Sequence, residues 1–160
     1  MKDYIVMVQE LLNGRNEEFD NADMRRIRLI RHADNRKEKI INGKSYANSL
    51  YNLYLTERNV FLTYQSEQVA KDFKDVDYIV SFIGEEGTTS RFVGVFKNGG
   101  IVAPLGLYNG KELARFDFTE VDGFELLKER VIIGWNNPVS WRQNYQNQMP
   151  VIRIDRGLQE

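Results

Sequence analysis

Three flat side chains, Trp135, Trp141 and Tyr145, stand among Asn136, Asn137, Arg142, Gln143 and Asn144. An extruded base needs flat apolar walls and polar groups for its edge, so this set has the composition of a base-contacting loop. Stacking on such rings contributes about 1–3 kcal/mol per base. The competing use is packing, with Trp135 ending a core strand and Trp141 plugging its loop onto the core. A second set is Arg26, Arg28 and Arg31 with His32, in the run RRIRLIRH. If Arg26 and Arg28 face outward, they form a row of phosphate contacts. Arg31 then lies on the other face, in a pocket or against a carboxylate. The alternative for all three is ion pairing with Glu85, Glu86 or the acidic N-terminus. Arg36, Lys37 and Lys39 follow in a polar segment and extend the basic surface.

Other chemistry is bounded by what the chain contains. His32 is its one histidine and it has no cysteine, so thiol nucleophiles, disulfides and histidine-rich metal sites are excluded. His32 beside Asp34 is either a proton-transfer pair or a strand-end histidine with a structural hydrogen bond, and the second use is the commoner. Glu85-Glu86-Gly87 tips a turn, where it either meets a cation or a cytosine amine or is simply solvated. Asp117 and Glu120 differ in parity along a strand, which separates them as metal ligands with Asp122. No phosphate-cradling glycine loop is present. The expectation is a non-catalytic chain with no cofactor and no metal.

Charge is distributed unevenly. The net charge is −1, but residues 24 to 44 carry eight basic and two acidic side chains, and residues 1 to 23 carry two basic and six acidic. A basic stripe binds phosphates even on a near-neutral domain, unless the acidic segment packs on it and neutralises it. With 160 residues, 42% of them hydrophobic, the composition is that of one globular domain with a sizeable core. No apolar run approaches the roughly 20 residues of a membrane span, and residues 1 to 12 lack the pattern of a secretory signal, so a cytoplasmic location is expected.

The elements that must position these residues follow from periodicity. Asp3 is expected to cap a helix over 4 to 12, stopped by Asn13-Gly14, with an acidic loop over 13 to 23. Residues 26 to 31 read as a strand with one buried and one basic face. Residues 33 to 45 read as a polar connection with Asn42-Gly43 as a turn. Residues 45 to 68 are mostly helical, with Thr56-Glu57 capping a second helix. Strands follow over 76 to 83 and 91 to 97, joined by a turn at 84 to 87. Residues 98 to 110, rich in glycine and holding Pro104, read as a flexible loop or irregular hairpin. Strands over 114 to 121, 130 to 135 and 151 to 154 follow, with a helical turn at 124 to 128 and an Asn/Gln-rich loop at 136 to 150. The sum is an α+β fold, a curved mixed or antiparallel sheet or partly open barrel with N-terminal helices packed at one side. It forms one domain over 1 to 160, an acidic helix and loop to residue 23 and the main α+β part from 24.

Several of these runs also carry a resemblance. Arg28-Leu29-Ile30-Arg31-His32 with Asp34 and Arg36, the run DYIVSFIGEEGT from Asp77, and RFVGVF from Arg91 are its first parts. Gly123-Phe124, LKERVII from Leu127, Trp135, Trp141 and VIRI from Val151 complete it. Together they resemble the domain that precedes a GIY-YIG nuclease domain in many bacterial proteins, over roughly residues 26 to 155. The nuclease domain itself is absent, and Asn136-Asn137-Pro138-Val139-Ser140 stands where a charged, glycine-containing loop is expected. The strand order is also similar to EVE and PUA-like domains, small curved barrels that read RNA or modified bases in DNA. The resemblance implies a module that selects nucleic acid, DNA before RNA, for a restriction or defence nuclease acting in trans. Its site residues would be Arg26, Arg28, Arg31, His32, Arg36, Lys37, Lys39, Trp135, Asn137, Trp141, Arg142 and Tyr145. The alternative is a phage or mobile-element module that binds a host nuclease or defence complex. A carboxylate metal nuclease ranks last, and no membrane partner is implied.

Overall fold

The computed structural model describes residues 3–7, 11–32, 39–47, 49–84, 89–128, 132–134 and 150–154. In chain order the strands are β1 (Asp3–Met7), β2 (Ile27–His32), β3 (Lys39–Ile41), β4 (Lys44–Tyr46), β5 (Glu67–Val69), β6 (Tyr78–Gly84), β7 (Thr89–Tyr108), β8 (Lys111–Glu120), β9 (Ile132–Gly134) and β10 (Pro150–Ile154). The α-helices are α1 (Glu17–Asp20), α2 (Leu50–Thr56) and α3 (Arg58–Ser66).

The run YIVSFIG makes β6 the centre of the molecule. Every residue of it is buried, as expected of a strand covered on both faces. It pairs in parallel with β2, from Ile27↔Tyr78 to His32↔Ile83, and antiparallel with β7. The main sheet then runs β2-β6-β7-β8-β5, with β9 also on β7. The sheet curls into a half-barrel whose end strands are β2 and β5, so the fold is α+β with a curved, partly open mixed sheet.

Each face of the sheet has its own core. On one face Ile27, Leu29, Val80, Phe82 and Phe92 pack with Leu11, Leu12, Phe19, Phe124 and Leu127. On the other, Ile83 and Val93 pack with Leu50, Leu53, Tyr54 and Phe61 of α2 and α3. Beside that cluster Ile79 and Phe96 pack with Phe73, Ala114 and Phe116.

Four local expectations are corrected. Asp3–Met7 is a strand, not the start of a helix over 4 to 12: Tyr4, Ile5 and Val6 favour β structure, and β10 supplies an antiparallel partner. The acidic segment holds a helical turn, α1, where a loop is expected. Asn16 Oδ1 caps it by accepting from the Phe19 N–H at 3.0 Å, and Phe19 sits edge-on to Tyr78 and Phe124. Within the polar segment, β3 and β4 form a hairpin about Asn42-Gly43, whose φ values of 51° and 83° suit a type I′ turn. Over 98 to 110 the irregular-hairpin alternative holds: β7 continues to Tyr108, bulging against β8, and turns at Asn109-Gly110, with φ of 50° and 77°. Thr56 does not cap α3 either; its hydroxyl donates to the Asn52 carbonyl inside α2 at 2.8 Å.

Candidate functional site

β2 and β5 are the two ends of the curled sheet, and a cleft of about 270 Å³ opens between them. It is lined by Arg31 and His32 of β2, Ile40 of β3, Tyr64 of α3, and Glu67 and Gln68 of β5. Alternation along β2 sends Ile27 and Leu29 into one core and directs Arg28, Ile30 and His32 toward the other face. Arg31 follows Leu29 in parity and is seated by two neighbours. Its Nε donates to Ser90 Oγ at 2.6 Å, and its guanidinium lies over Gly84, where any Cβ would collide with it. Partial burial lowers its pKa by desolvation, but a guanidinium stays cationic at any physiological pH.

His32 is buried, edge-on to Phe61 and Tyr64. Its Nε2 lies 3.0 Å from Gln65 Oε1, which also accepts from Ser81 Oγ at 2.5 Å. Desolvation pushes the imidazole down to about 4, against a smaller upward pull from Gln65. The ring is therefore neutral at pH 7. With its proton on Nε2 toward Gln65, Nδ1 is the remaining acceptor. Gln65 Nε2 is buried with no partner among the described residues.

The β5 side supplies opposite charge. Glu67 Oε2 accepts from Arg115 Nη2 at 3.2 Å, and Gln68 Nε2 donates to the Gln65 carbonyl at 2.8 Å. The cleft thus combines a cationic fork, a carboxylate, an amide, a neutral imidazole and an aromatic ring. Its volume lies just below the roughly 300–1,000 Å³ of pockets for drug-sized ligands.

The other expected site residues divide into two groups. Arg26 makes a bidentate pair with Asp77 at 2.8 and 2.9 Å. Arg28 donates to the Asp72 carbonyl and lies 4.9 Å over the Phe73 ring. Both guanidiniums are thus engaged by the protein, Arg26 in an ion pair just before β2 that leaves its side chain 42% exposed. Lys39 is largely buried on the β3–β4 hairpin. The acidic segment meets the basic stripe at its start, where Asp23 pairs with Arg25 at 3.1 Å, and it also pairs Glu18 with Lys97 at 2.6 Å. Arg36, Lys37, Trp135, Asn137, Trp141, Arg142 and Tyr145 lie outside the described residues, as do Asp34, Glu85 and Glu86. Among the described residues no three His, Asp or Glu side chains converge as a metal site, and Glu120 is paired with Lys128.

Tyr64, Gln65, Glu67 and Gln68 escape the sequence reading. The one signal was Ser81, a hydroxyl inside an apolar strand, which demands a buried polar partner. No family model, no curated protein and no solved structure matches this chain, so the reading of the cleft rests on its geometry and chemistry.

Proposed function

We propose that the chain is a non-catalytic nucleic-acid recognition module that takes one unstacked base into the cleft between β2 and β5. The observation that carries this is the gathering of Arg31, Glu67, Gln68 and Tyr64 around a volume that suits a single base. Arginine, glutamine and glutamate are the side chains that read base edges, and an aromatic ring supplies a wall for the extruded ring. In this reading Arg36 and Lys37 hold phosphate, and Trp141 and Tyr145 stack on the neighbouring bases. The module serves a restriction or defence nuclease acting in trans, with DNA as the first substrate class.

The test is fluorescence anisotropy on short DNA and RNA, single- and double-stranded, with and without 5-methylcytosine or 5-hydroxymethylcytosine, at two salt concentrations. Salt-sensitive binding with a preference for one substrate is expected. Arg31→Ala and Tyr64→Ala remove the preference, whereas Arg26→Ala, already satisfied by Asp77, leaves it unchanged. Absence of binding at low salt overturns the reading. The inward engagement of Arg26 and Arg28 favours a second one, a module that binds a nuclease or defence complex directly. A flat nucleic-acid titration with tight capture of such a complex separates the two.

A further inference from the structure

Behind the cleft, three buried polar side chains meet at one atom. Ser81 alternates with Ile79 and Ile83 on the face of β6 that α3 covers, and Gln65 stands one turn beyond Phe61 on α3. Gln65 Oε1 accepts from Ser81 Oγ at 2.5 Å and lies 3.0 Å from His32 Nε2. Ser81, Gln65 and His32 are 0%, 1% and 6% exposed. At such burial a ring nitrogen takes the role its partner leaves it, so the amide decides where the imidazole proton sits. The reverse orientation of the amide would strand two groups among the described residues, Gln65 Oε1 and the Ser81 proton; the observed one strands only Gln65 Nε2. With Oε1 toward His32, the neutral ring carries its proton on Nε2, and Nδ1 is an acceptor with no hydrogen bond among the described residues. His32 also lines the cleft, whose opposite wall carries Glu67, a carboxylate that only accepts.

We propose that the cleft selects a base with an exocyclic amino group (adenine, cytosine or guanine) over thymine or uracil, and that Gln65 is the positioning residue that sets this choice by holding the proton on His32 Nε2. This selection rests on the base-binding reading of the cleft and adds its substrate class. Adenine, cytosine and guanine each present an amino donor on their edge, whereas thymine presents carbonyl oxygen. An unprotonated Nδ1 accepts from an amino group and repels a carbonyl oxygen in the same place. A proton on Nδ1 would reverse that preference. One buried amide therefore sets the sign of the discrimination without touching the ligand.

His32 is the chain's one histidine, so nitrogen NMR of the isotope-labelled full chain reads its two ring nitrogens unambiguously. In the free chain at pH 7, a protonated Nε2 and an unprotonated Nδ1 are expected. The probes are short oligothymidines whose central base is adenine, cytosine, guanine or thymine. At least one amino-bearing oligomer shifts the Nδ1 resonance and binds about fivefold or more tighter than the all-thymine one. The double variant Q65L/S81A removes the relay without stranding the hydroxyl and loses that preference. Gln65→Glu keeps an acceptor at the same place and retains it. A protonated Nδ1 in the free chain, a preference for thymine, equal shifts with all four oligomers, or a preference that survives loss of the relay overturns the proposal and leaves base binding standing. Oligomers that bind without moving either ring nitrogen, or that do not bind, overturn base binding in the cleft and the proposal with it.

Discussion

Around β2 the basic side chains turn onto the protein: Arg26 to Asp77, Arg28 to Asp72 and Phe73, Arg31 to Ser90. On the outer β7–β8 hairpin the opposite holds, and apolar side chains from Ile101 to Tyr108 stand in solvent. The cause is the number of layers. β2 and β6 are covered on both faces, so a cation there is held wherever it finds a carboxylate, carbonyl or hydroxyl. The outer hairpin has a backbone ladder along one edge of β7 and little packed on it, so its side chains contribute little to the fold. Polar groups near the seam are thus held by the protein, and apolar groups on the hairpin stand in solvent.

Four measurements sharpen or break that contrast. Phe61, fully buried against His32 and Tyr54, should show the largest effect: Phe61→Ala lowers stability by about 3–5 kcal/mol in urea unfolding. A loss below 1 kcal/mol, within the range of surface substitutions, would mean that Phe61 is not packed against His32 and Tyr54 in the folded chain.

Acid comes next. The folded pKa of His32, about 4, lies below the ordinary value of 6.5, so between those values the unfolded chain binds the extra proton. Stability is then full above about pH 6.5 and falls by about 3 kcal/mol as pH drops toward 4. His32→Phe flattens that slope, and a variant with the same slope would assign it to other groups.

Gly84→Ala separates site from scaffold. A methyl there displaces the Arg31 guanidinium, the flexible end of a long side chain, so stability changes by less than about 1.5 kcal/mol while substrate preference is lost. Preserved preference would show that Arg31 does not read the ligand. The smallest effect belongs to the hairpin: Leu107→Ser stays within about 0.5 kcal/mol of wild type. A larger loss would make the hairpin part of the core.

Legibility in the sequence follows the same contrast. β6 stands out because burial on both faces writes an uninterrupted apolar run, and β2 because its alternation separates Ile27 and Leu29 from the arginines. The curved, partly open sheet follows from such strands and the helical stretch between them. Segment 3 to 7 reads as helix because its strand partner lies at the far end of the chain, where no local pattern registers it. Asn109-Gly110 carries the same turn signal as Asn42-Gly43, but the neighbouring glycines and Pro104 masked a strand that bulges repeatedly against β8. Of the site, Arg31 and His32 were visible by residue type. Tyr64, Glu67 and Gln68 were not, because they reach β2 only when the sheet curls, and closure of that kind leaves no mark on spacing.

The pairing of β1 with β10 has a consequence during synthesis. Met7 leaves the ribosome about 140 residues before its partner Pro150, which at about 5–20 residues per second is a wait of roughly 7–30 s. For that interval the segment Asp-Tyr-Ile-Val-Met is an uncompleted strand, exposed to neighbouring nascent chains or to a chaperone. The half-barrel from β2 to β8 can assemble in the meantime, so β1 is the last strand to be secured although it is the first to be made.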